Sequence, residues 1–324
     1  MSETHDTNSV GSVGSAGPTT GRRRTDRIVG SSQLIRESVD HANAAARSDD
    51  TVVITGPTGS GRAHLARAIH AWSKRSGSPL TTFLPTATPH DEQERELFGA
   101  AGPVPALRSG GKIGALQAAG DGSLLISDAD LLHPGARQTL AKALKERTFR
   151  RLGDTEPIAL RSRLLLTSST EGHASLKDIP AIHVTVSALA DRVEDVLPLA
   201  AHFLAEYAEK EGTRPVGFSG DARRWLVEEQ WLGNVRELSE RVRQAVRVAG
   251  DGAISAEALM LAMEGDEVPS FKDAKRAFET RYVEGLLRRC NGNISRAARL
   301  AKKDRKDFYD VIRRTGVDPA LFRS

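Results

Sequence analysis

The chain has 324 residues, of which 39% are hydrophobic and 27% are charged, which is ordinary for a globular protein and leaves room for about two domains. It contains no run of about 18 apolar residues, which excludes a membrane-spanning helix, and its Ser- and Gly-rich beginning is unlike a signal peptide. The single cysteine, Cys290, excludes an internal disulfide framework, so we expect a cytoplasmic protein with no membrane partner, in which Cys290 is a small core residue.

The first part of the chain changes from a polar tail to regular structure. Residues 1–27 are rich in Ser, Gly and Thr and cannot bury enough apolar surface, so we expect a disordered tail. Helical spacing of apolar residues then predicts a helix over Ser31–Ala46. The β-branched run Thr51–Thr55 predicts a buried strand, and a glycine-rich turn joins it to a helix that extends through Trp72.

The middle of the chain alternates strands and helices. Further short apolar runs predict strands at Ser123–Ile126, Leu164–Thr167 and Ile182–Val186. Such alternation is typical of a parallel sheet with helices on both faces. From Ala188 onward the pattern contains no strand. The helices expected there are Val193–Lys210, Ser219–Glu229, Asn234–Ala249 and Ser255–Met263.

The glycine-rich turn has the context of a phosphate-binding loop, because it lies between a strand and a helix. Its glycines would let main-chain N–H groups converge on phosphate oxygens at a helix N-terminus. The residues predicted to bind the nucleotide are Gly56, Thr58, Gly59, Ser60, Gly61, Arg62 and Ala63. Two positions depart from the usual chemistry, since Arg62 replaces a lysine and Ala63 replaces the hydroxyl that would bind Mg²⁺.

Several landmarks together resemble the AAA+ domain of sigma-54-dependent transcription activators, the bacterial enhancer-binding proteins. They are the segments Ala66–His70, Glu96–Gly99, Gly122–Ile126, Glu156–Ile158 and Trp231–Leu238. The resemblance implies an AAA+ P-loop sheet over residues 28–190 and a helical lid over 191–263. It also makes Arg236 the sensor II arginine, a further nucleotide-binding residue.

The chain departs from this family wherever ATP hydrolysis needs a specific group. The Walker B strand ends in Ser127-Asp128 instead of Asp-Glu, so Asp128 is a remnant of the catalytic pair. It either replaces the glutamate base with a shorter side chain or, if the alignment slips by one residue, is the metal ligand with Ala129 in the base position. In both alignments one carboxylate is lost. Ser169 stands at the sensor I asparagine, and Gly102–Ala106 replaces the loop that contacts sigma-54. No arginine occurs over Leu164–Asp191, where the arginine fingers are expected.

Phosphoryl transfer depends on Mg²⁺, a lysine and an arginine finger to stabilise the transferred group, so we expect no turnover. Two interpretations of the loop stay open. In one, ATP or ADP binds without being hydrolysed, with few ligands left for Mg²⁺. In the other, the loop is now only a strand-to-helix turn.

The C-terminal end differs in charge from the rest. After a predicted linker at residues 264–270, residues 271–324 contain 15 Lys and Arg against 7 Asp and Glu, whereas the preceding residues carry 31 against 35. A basic segment on a mildly acidic body points to a polyanionic partner, although a solvated helix face would give the same count.

The pattern of this basic segment favours DNA. An amphipathic helix over Phe271–Arg289 is followed by Asn293, a good N-cap for a helix that continues to Ala301. A second helix is predicted from Arg305 to Arg314, and two short helices joined by a tight turn form a helix-turn-helix. The segment Asn293–Leu300 resembles the Fis-type domain that follows the AAA+ module in this family.

The resemblance implies which side chains meet DNA. The second helix would enter the major groove, and its neighbours would contact phosphates. The predicted DNA-binding residues are Asn293, Ser295, Arg296, Lys303, Arg305, Lys306, Tyr309 and Arg313. Asp307 and Asp310 are also on this helix, where they either accept from cytosine amino groups or are simply solvated.

The fold predicted from these features is α/β: an AAA+ P-loop parallel sheet with a helical lid, followed by a small all-α Fis-type helix-turn-helix domain. The function it predicts is a DNA-binding transcription regulator whose AAA+ domain serves for assembly or regulation without ATP turnover. The expected partners are double-stranded DNA with an inverted repeat, further copies through both domains, and active enhancer-binding proteins or RNA polymerase with sigma-54. The alternatives are an active sigma-54 activator and a scaffold that binds proteins rather than DNA.

Overall fold

The structure, a computed structural model, describes residues 27–102, 111–170, 172–261, 280, 282–301 and 303–322. The chain divides into two units, residues 1–188 and residues 189–324. Several predictions lie outside the described residues: nearly all of the tail, most of the loop at Gly102–Ala106, the linker at 264–270, and the first half of the helix over Phe271–Arg289.

The first unit is built on a parallel five-stranded sheet, as predicted. Its strands are β1 (Val52–Thr55), β2 (Leu80–Phe83), β5 (Ser123–Ile126), β8 (Arg163–Ser168) and β9 (Ile182–Thr185), in the order β2-β5-β8-β1-β9. The edge strand β2 was not predicted, because Phe83 is its only fully buried residue. Two short antiparallel pairs, β3 (Gly99–Ala100) with β4 (Lys112–Ile113) and β6 (Thr148–Phe149) with β7 (Ile158–Ala159), complete the strands of this unit.

Helices cover the sheet, and their bounds are α1 (Gln33–Ala46), α2 (Arg62–Trp72), α3 (Gln93–Phe98), α4 (Ala115–Ala118) and α5 (Pro134–Glu146). Neighbouring strand residues enter different cores: Leu124 packs into one apolar cluster and Leu125 into another. This alternation is what a sheet buried on both faces requires, because successive side chains point to opposite sides. The layered α/β arrangement confirms the predicted fold class.

The second unit begins with the lid. A 3-10 segment, Leu189–Asp195, precedes the helices α6 (Val196–Glu211), α7 (Gly220–Glu228), α8 (Asn234–Ala249) and α9 (Ala256–Leu261). The predicted start of the first helix at Val193 was therefore wrong by three residues. The expectation of no strand after Ala188 was also wrong, because β10 (Gly217–Phe218) pairs in parallel with β11 (Ala253–Ile254). Two-residue strands are too short to give an alternating pattern.

The described part of the C-terminal end contains three helices: α10, which is described over 282–289, α11 (Ile294–Leu300) and α12 (Arg305–Thr315). Their shared core consists of the buried residues Val283, Leu287, Cys290, Ala297, Ala298, Phe308 and Ile312. Cys290 is 4% exposed, so the prediction of a small core residue is confirmed. The small side chains of Ala297 and Ala298 let α11 and α12 pack closely, as the helix-turn-helix prediction requires.

Candidate functional site

The glycine-rich turn connects the end of β1 to the first residue of α2, and two of its glycines have a structural reason. A Cβ on Gly56 would lie 2.3 Å from the carbonyl oxygen of Val186, so only glycine fits beside the end of β9. Gly61 caps α2 with φ of 108°, which side chains rarely allow. Ser60 is buried and Thr58 is exposed. The backbone thus retains the form of a loop that can surround an anion.

Arg62, the substitute for the usual lysine, does not point to solvent. Its side chain is only 7% exposed, and one guanidinium nitrogen, Nη2, lies 2.9 Å from Oδ1 of Asp128. The other nitrogen, Nη1, is buried without a hydrogen-bond acceptor among the described residues. The guanidinium thus contacts a carboxylate through one nitrogen, while the N–H groups of another nitrogen have no acceptor among the described residues.

Asp128 is held at the same edge of the sheet by its backbone. It follows β5 with φ of 55°, and its N–H donates to Oγ1 of Thr167 in β8 at 2.8 Å. Its side chain is 37% exposed, so the carboxylate lies at the mouth of the site rather than inside the core. Arg62 thus engages one oxygen of the Asp128 carboxylate in an ion pair.

A second polar cluster involves Ser169, the residue at the predicted sensor I position, which directly follows β8. The hydroxyl of Ser169 donates to Oδ2 of Asp130 at 2.7 Å and accepts from the N–H of Gly172 at 2.9 Å. A Cβ on Gly172 would lie 2.0 Å from Oδ2 of Asp130, so the loop packs directly on this carboxylate. Sequence reasoning did not single out Asp130 or Thr167. The one available signal was that Asp130 follows Asp128 by two residues.

The donor set fits a nucleotide better than it fits a magnesium ion. The glycine-rich turn and the positive charge of Arg62 suit a phosphate. Mg²⁺ prefers carboxylate and hydroxyl oxygens, but Ala63 has no side-chain oxygen and the carboxylate of Asp128 is paired with Arg62. Within the described ranges, no group of three or more His, Cys, Asp or Glu side chains is placed to hold a metal ion.

The last nucleotide-binding candidate, Arg236, belongs to the second unit. It lies exposed in the first turn of α8. The helix start is fixed by Asn234, which is 4% exposed and whose Oδ1 accepts from the N–H of Leu189 at 2.8 Å. The side chain of Arg236 is therefore presented from a well-anchored helix end.

The C-terminal helices place seven of the eight predicted DNA-binding residues on the surface. Asn293 caps α11 by accepting from the N–H of Arg296 at 3.0 Å, which confirms the predicted N-cap and uses one of its polar atoms within the protein. Asp304 caps α12 in the same way, accepting from the N–H of Asp307 at 2.9 Å. Ser295 is half-buried, while Arg296 and Lys303 are exposed.

One face of α12 is exposed to solvent and carries arginine and lysine side chains. Phe308 and Ile312 are buried, so the helix is fixed by its opposite face. The exposed residues there include the four predicted on this helix, Arg305, Lys306, Tyr309 and Arg313, together with Asp307 and Asp310. Spacings of three and four residues bring Arg305, Tyr309 and Arg313 into one line along the helix. Such a line is suited to a nucleic-acid groove.

Comparison with known proteins agrees with this architecture. Residues 28–179 match the sigma-54 interaction domain family, and residues 190–275 match the AAA+ ATPase lid domain family. The transcriptional regulatory protein GlrR of Escherichia coli is 30% identical over 94% of this chain and 72% of its own length. The sigma54-dependent transcriptional activator SfnR of Pseudomonas putida is 29% identical over 88% of this chain and 76% of its own length.

A solved structure has the same fold. NtrX from Brucella abortus in complex with ADP superposes with a TM-score of 0.65 at 26% identity, covering 90% of this chain and 69% of NtrX. NtrX was also solved in complex with ATP, with a TM-score of 0.64. The fold and the site define an AAA+ transcription regulator. The chain belongs to the family of sigma-54-dependent transcriptional regulators. In the part of the chain that the structure describes, no helix has the length and apolar character to cross a membrane.

Proposed function

We propose that this chain is a sequence-specific DNA-binding regulator of the sigma-54 activator type whose AAA+ domain does not turn over ATP. In this proposal the AAA+ domain holds ADP or ATP without hydrolysis and serves for assembly or regulation. The chain binds double-stranded DNA with an inverted repeat as a dimer. Its protein partners are further copies of itself, active relatives, or the polymerase with sigma-54.

The exposed basic line on α12 is the observation that carries the DNA-binding part. Arginine and lysine at the start of a helix-turn-helix recognition helix can donate to guanine edges or to phosphates. The helix is held by Phe308 and Ile312, so these side chains are presented on a fixed surface. Asp307 and Asp310 would oppose unspecific binding to phosphate and favour sites that offer cytosine amino groups.

The ion pair of Arg62 with Asp128 supports the absence of turnover. A general base must reach the attacking water, whereas one oxygen of the Asp128 carboxylate is engaged by the guanidinium of Arg62 at 2.9 Å. An arginine finger alone is worth about 10³–10⁵ in rate, and the segment that would supply it contains no arginine. Several groups that act on the same phosphoryl transfer are thus changed together.

The first experiment tests DNA binding by the full chain. Duplexes are selected from a random library, and affinity for the enriched sequence is measured by fluorescence anisotropy at several salt concentrations. The double variant Arg305→Ala/Lys306→Ala is expected to lose at least about tenfold in affinity, because two donors to bases or phosphates are removed. If both side chains contact phosphates, the plot of log affinity against log salt becomes less steep, and the magnitude of its slope decreases by about 2.

A matched control removes two positive charges elsewhere. Arg36→Ala/Arg224→Ala takes exposed arginines from α1 and α7, and its affinity is expected to equal that of the unmodified chain. Equal losses in both double variants would mean that only net charge matters. A chain that enriches no sequence, and whose binding survives the α12 substitutions, would be a protein scaffold instead.

A further inference from the structure

The phosphate-binding loop and the ion pair beside it carry an inference about the ligand. We propose that the Arg62–Asp128 pair takes the place of the metal ion and its ligands, so that the loop binds ADP as a metal-free anion. This inference rests on the proposed function of the AAA+ domain as a nucleotide-holding module. It concerns the form of the nucleotide, which the absence of turnover alone leaves undetermined.

The first step is the loss of metal ligands on both sides of the loop. A protein usually holds the magnesium ion of its nucleotide through one or two of its own oxygen ligands, in addition to phosphate oxygens and waters. The helix residue next to Arg62 is Ala63, which offers none, and the strand β5 is followed by Ser127 where a carboxylate would be expected from the family. Asp128 is the remaining carboxylate, and a metal ion would have to displace Arg62 from it.

The second step is that a fixed positive charge already lies in the site. Arginine stays protonated at any ordinary pH, so Arg62 brings one positive charge that no metal needs to supply. Its Nη1 is buried and has no acceptor among the described residues, although Nη2 contacts Asp128 at 2.9 Å. A phosphate oxygen that accepts from Nη1 would satisfy this donor without breaking the ion pair.

The third step concerns the sign of each effect. Magnesium binds to the phosphates of free nucleotide and reduces their negative charge, so it weakens their attraction to the positive charge of Arg62. The carboxylate of Asp128 repels the same phosphates. Removing magnesium should therefore leave binding unchanged or strengthen it, and neutralising Asp128 should strengthen it further.

The test is a titration of the full chain with a fluorescent ADP, once with excess Mg²⁺ and once with a chelator. We expect the Kd without metal to be equal to or lower than the Kd with metal. Asp128→Asn, which keeps the shape of the side chain, should bind about tenfold or more tightly, because a like charge next to the phosphates is gone. Arg62→Ala should lose binding, with circular dichroism reporting whether it is folded.

Asp121→Asn is the control for the carboxylate, because it removes the same charge from an exposed residue. Asp121 lies in a turn, and its partner is Arg161 at 3.5 Å. Its Kd should not change. The inference is overturned if ADP binds at least about tenfold more tightly with Mg²⁺, as a site with metal ligands would. It is also overturned if ADP does not bind in either condition or if Asp128→Asn weakens binding. None of these results affects the DNA-binding and no-turnover parts of the proposed function, which fail only on their own measurements.

Discussion

Among the described residues three arginines are less than one-tenth exposed, and their partners differ. Arg163, which is 2% exposed, begins β8 and donates to the main-chain carbonyls of Ala45 at 2.6 Å and Asp50 at 3.1 Å. Arg192 lies 3.8 Å from the fully buried carboxylate of Asp195. Burial lowers the pKa of both, but an arginine starts so high that each stays charged.

Arg163 and Arg192 thus hold chain segments of the protein together. Arg163 also keeps a buried Nη1 without an acceptor among the described residues, so an unused donor does not by itself mark a ligand site. Arg62 differs in its position, because it directly follows the glycine-rich turn and its ion-pair partner Asp128 lies at the mouth of that site. This position is the reason for proposing the ligand at Arg62 and at neither of the other two.

A second ion pair at the residue scale predicts a pH dependence of stability. Asp49, next to the end of α1, accepts from Lys74 at 2.6 Å and from Arg75 at 2.9 Å. Hydrogen bonds from Lys74 and then Arg75 lower the pKa of Asp49 from 3.8 to about 2. The folded pKa lies below the unfolded one, so the stabilisation is present above pH 3.8 and is lost as the pH falls through about 2.

Asp49→Asn should therefore reduce the free energy of unfolding at neutral pH, by at most about 1 kcal/mol because the carboxylate is partly exposed to solvent. Urea unfolding of both proteins between pH 7 and the acid range measures the difference. We expect the difference to shrink as the pH falls toward the folded pKa. A difference that stays constant with pH would show that Asp49 acts through packing and not through its charge.

At the scale of elements, a cation between two tryptophans joins the lid helices. The guanidinium of Arg241 in α8 lies 5.3 Å from the ring centre of Trp225 in α7 and 5.5 Å from that of Trp231. It also donates to Glu237, which in turn accepts from the N–H of Gly233 at 2.8 Å. The connection between α7 and α8 is fixed by this cluster.

Arg241→Ala should destabilise the lid by about 2–3 kcal/mol, because it removes cation–π contacts and leaves the partly buried Glu237 without its partner. Arg241→Lys should give a smaller loss of stability than Arg241→Ala, because a lysine keeps the charge but not the planar stacking. Tryptophan fluorescence during unfolding follows the change directly, because two of the three tryptophans belong to the cluster. Arg224→Ala, an exposed arginine on α7, is the control, and equal destabilisation by both would contradict this account.

The elements that could be predicted from sequence are those with a long or fully buried pattern. β5 and α8 were placed at their observed bounds, the former as an apolar run and the latter from its strong helical periodicity. The strand β2 was missed because it alternates only weakly at the sheet edge. The last three residues of the 3-10 segment Leu189–Asp195 were taken as the start of a helix, because they lead directly into α6.

The site shows a similar limit. Spacing alone located the loop at Gly56–Gly61, because strand, turn and helix are neighbours in the sequence. Spacing could not pair Arg62 with Asp128 or Ser169 with Asp130, since these contacts come from the sheet order. Whether a buried side chain has a partner depends on the packing of elements that are distant in the sequence.

For the whole molecule, the parallel sheet explains why changes scattered along the sequence meet at one place. The carboxyl ends of β1, β5 and β8 lie at the same edge of the sheet, and the residues that follow them include Arg62, Asp128 and Ser169. The charge distribution separates the two ends of the chain, because the basic excess is confined to residues 271–324. The substituted positions of the proposed nucleotide site and the proposed DNA-binding segment thus lie in different parts of the chain.

The most direct test of this account is phosphate release by the purified full chain with Mg²⁺ and ATP, measured with and without its selected DNA. We predict no release above that of a sample without protein, because base, metal ligands and finger are changed together. Asp128→Asn should give the same background. Steady release that requires Asp128 would contradict the account and make the chain an active sigma-54 ATPase.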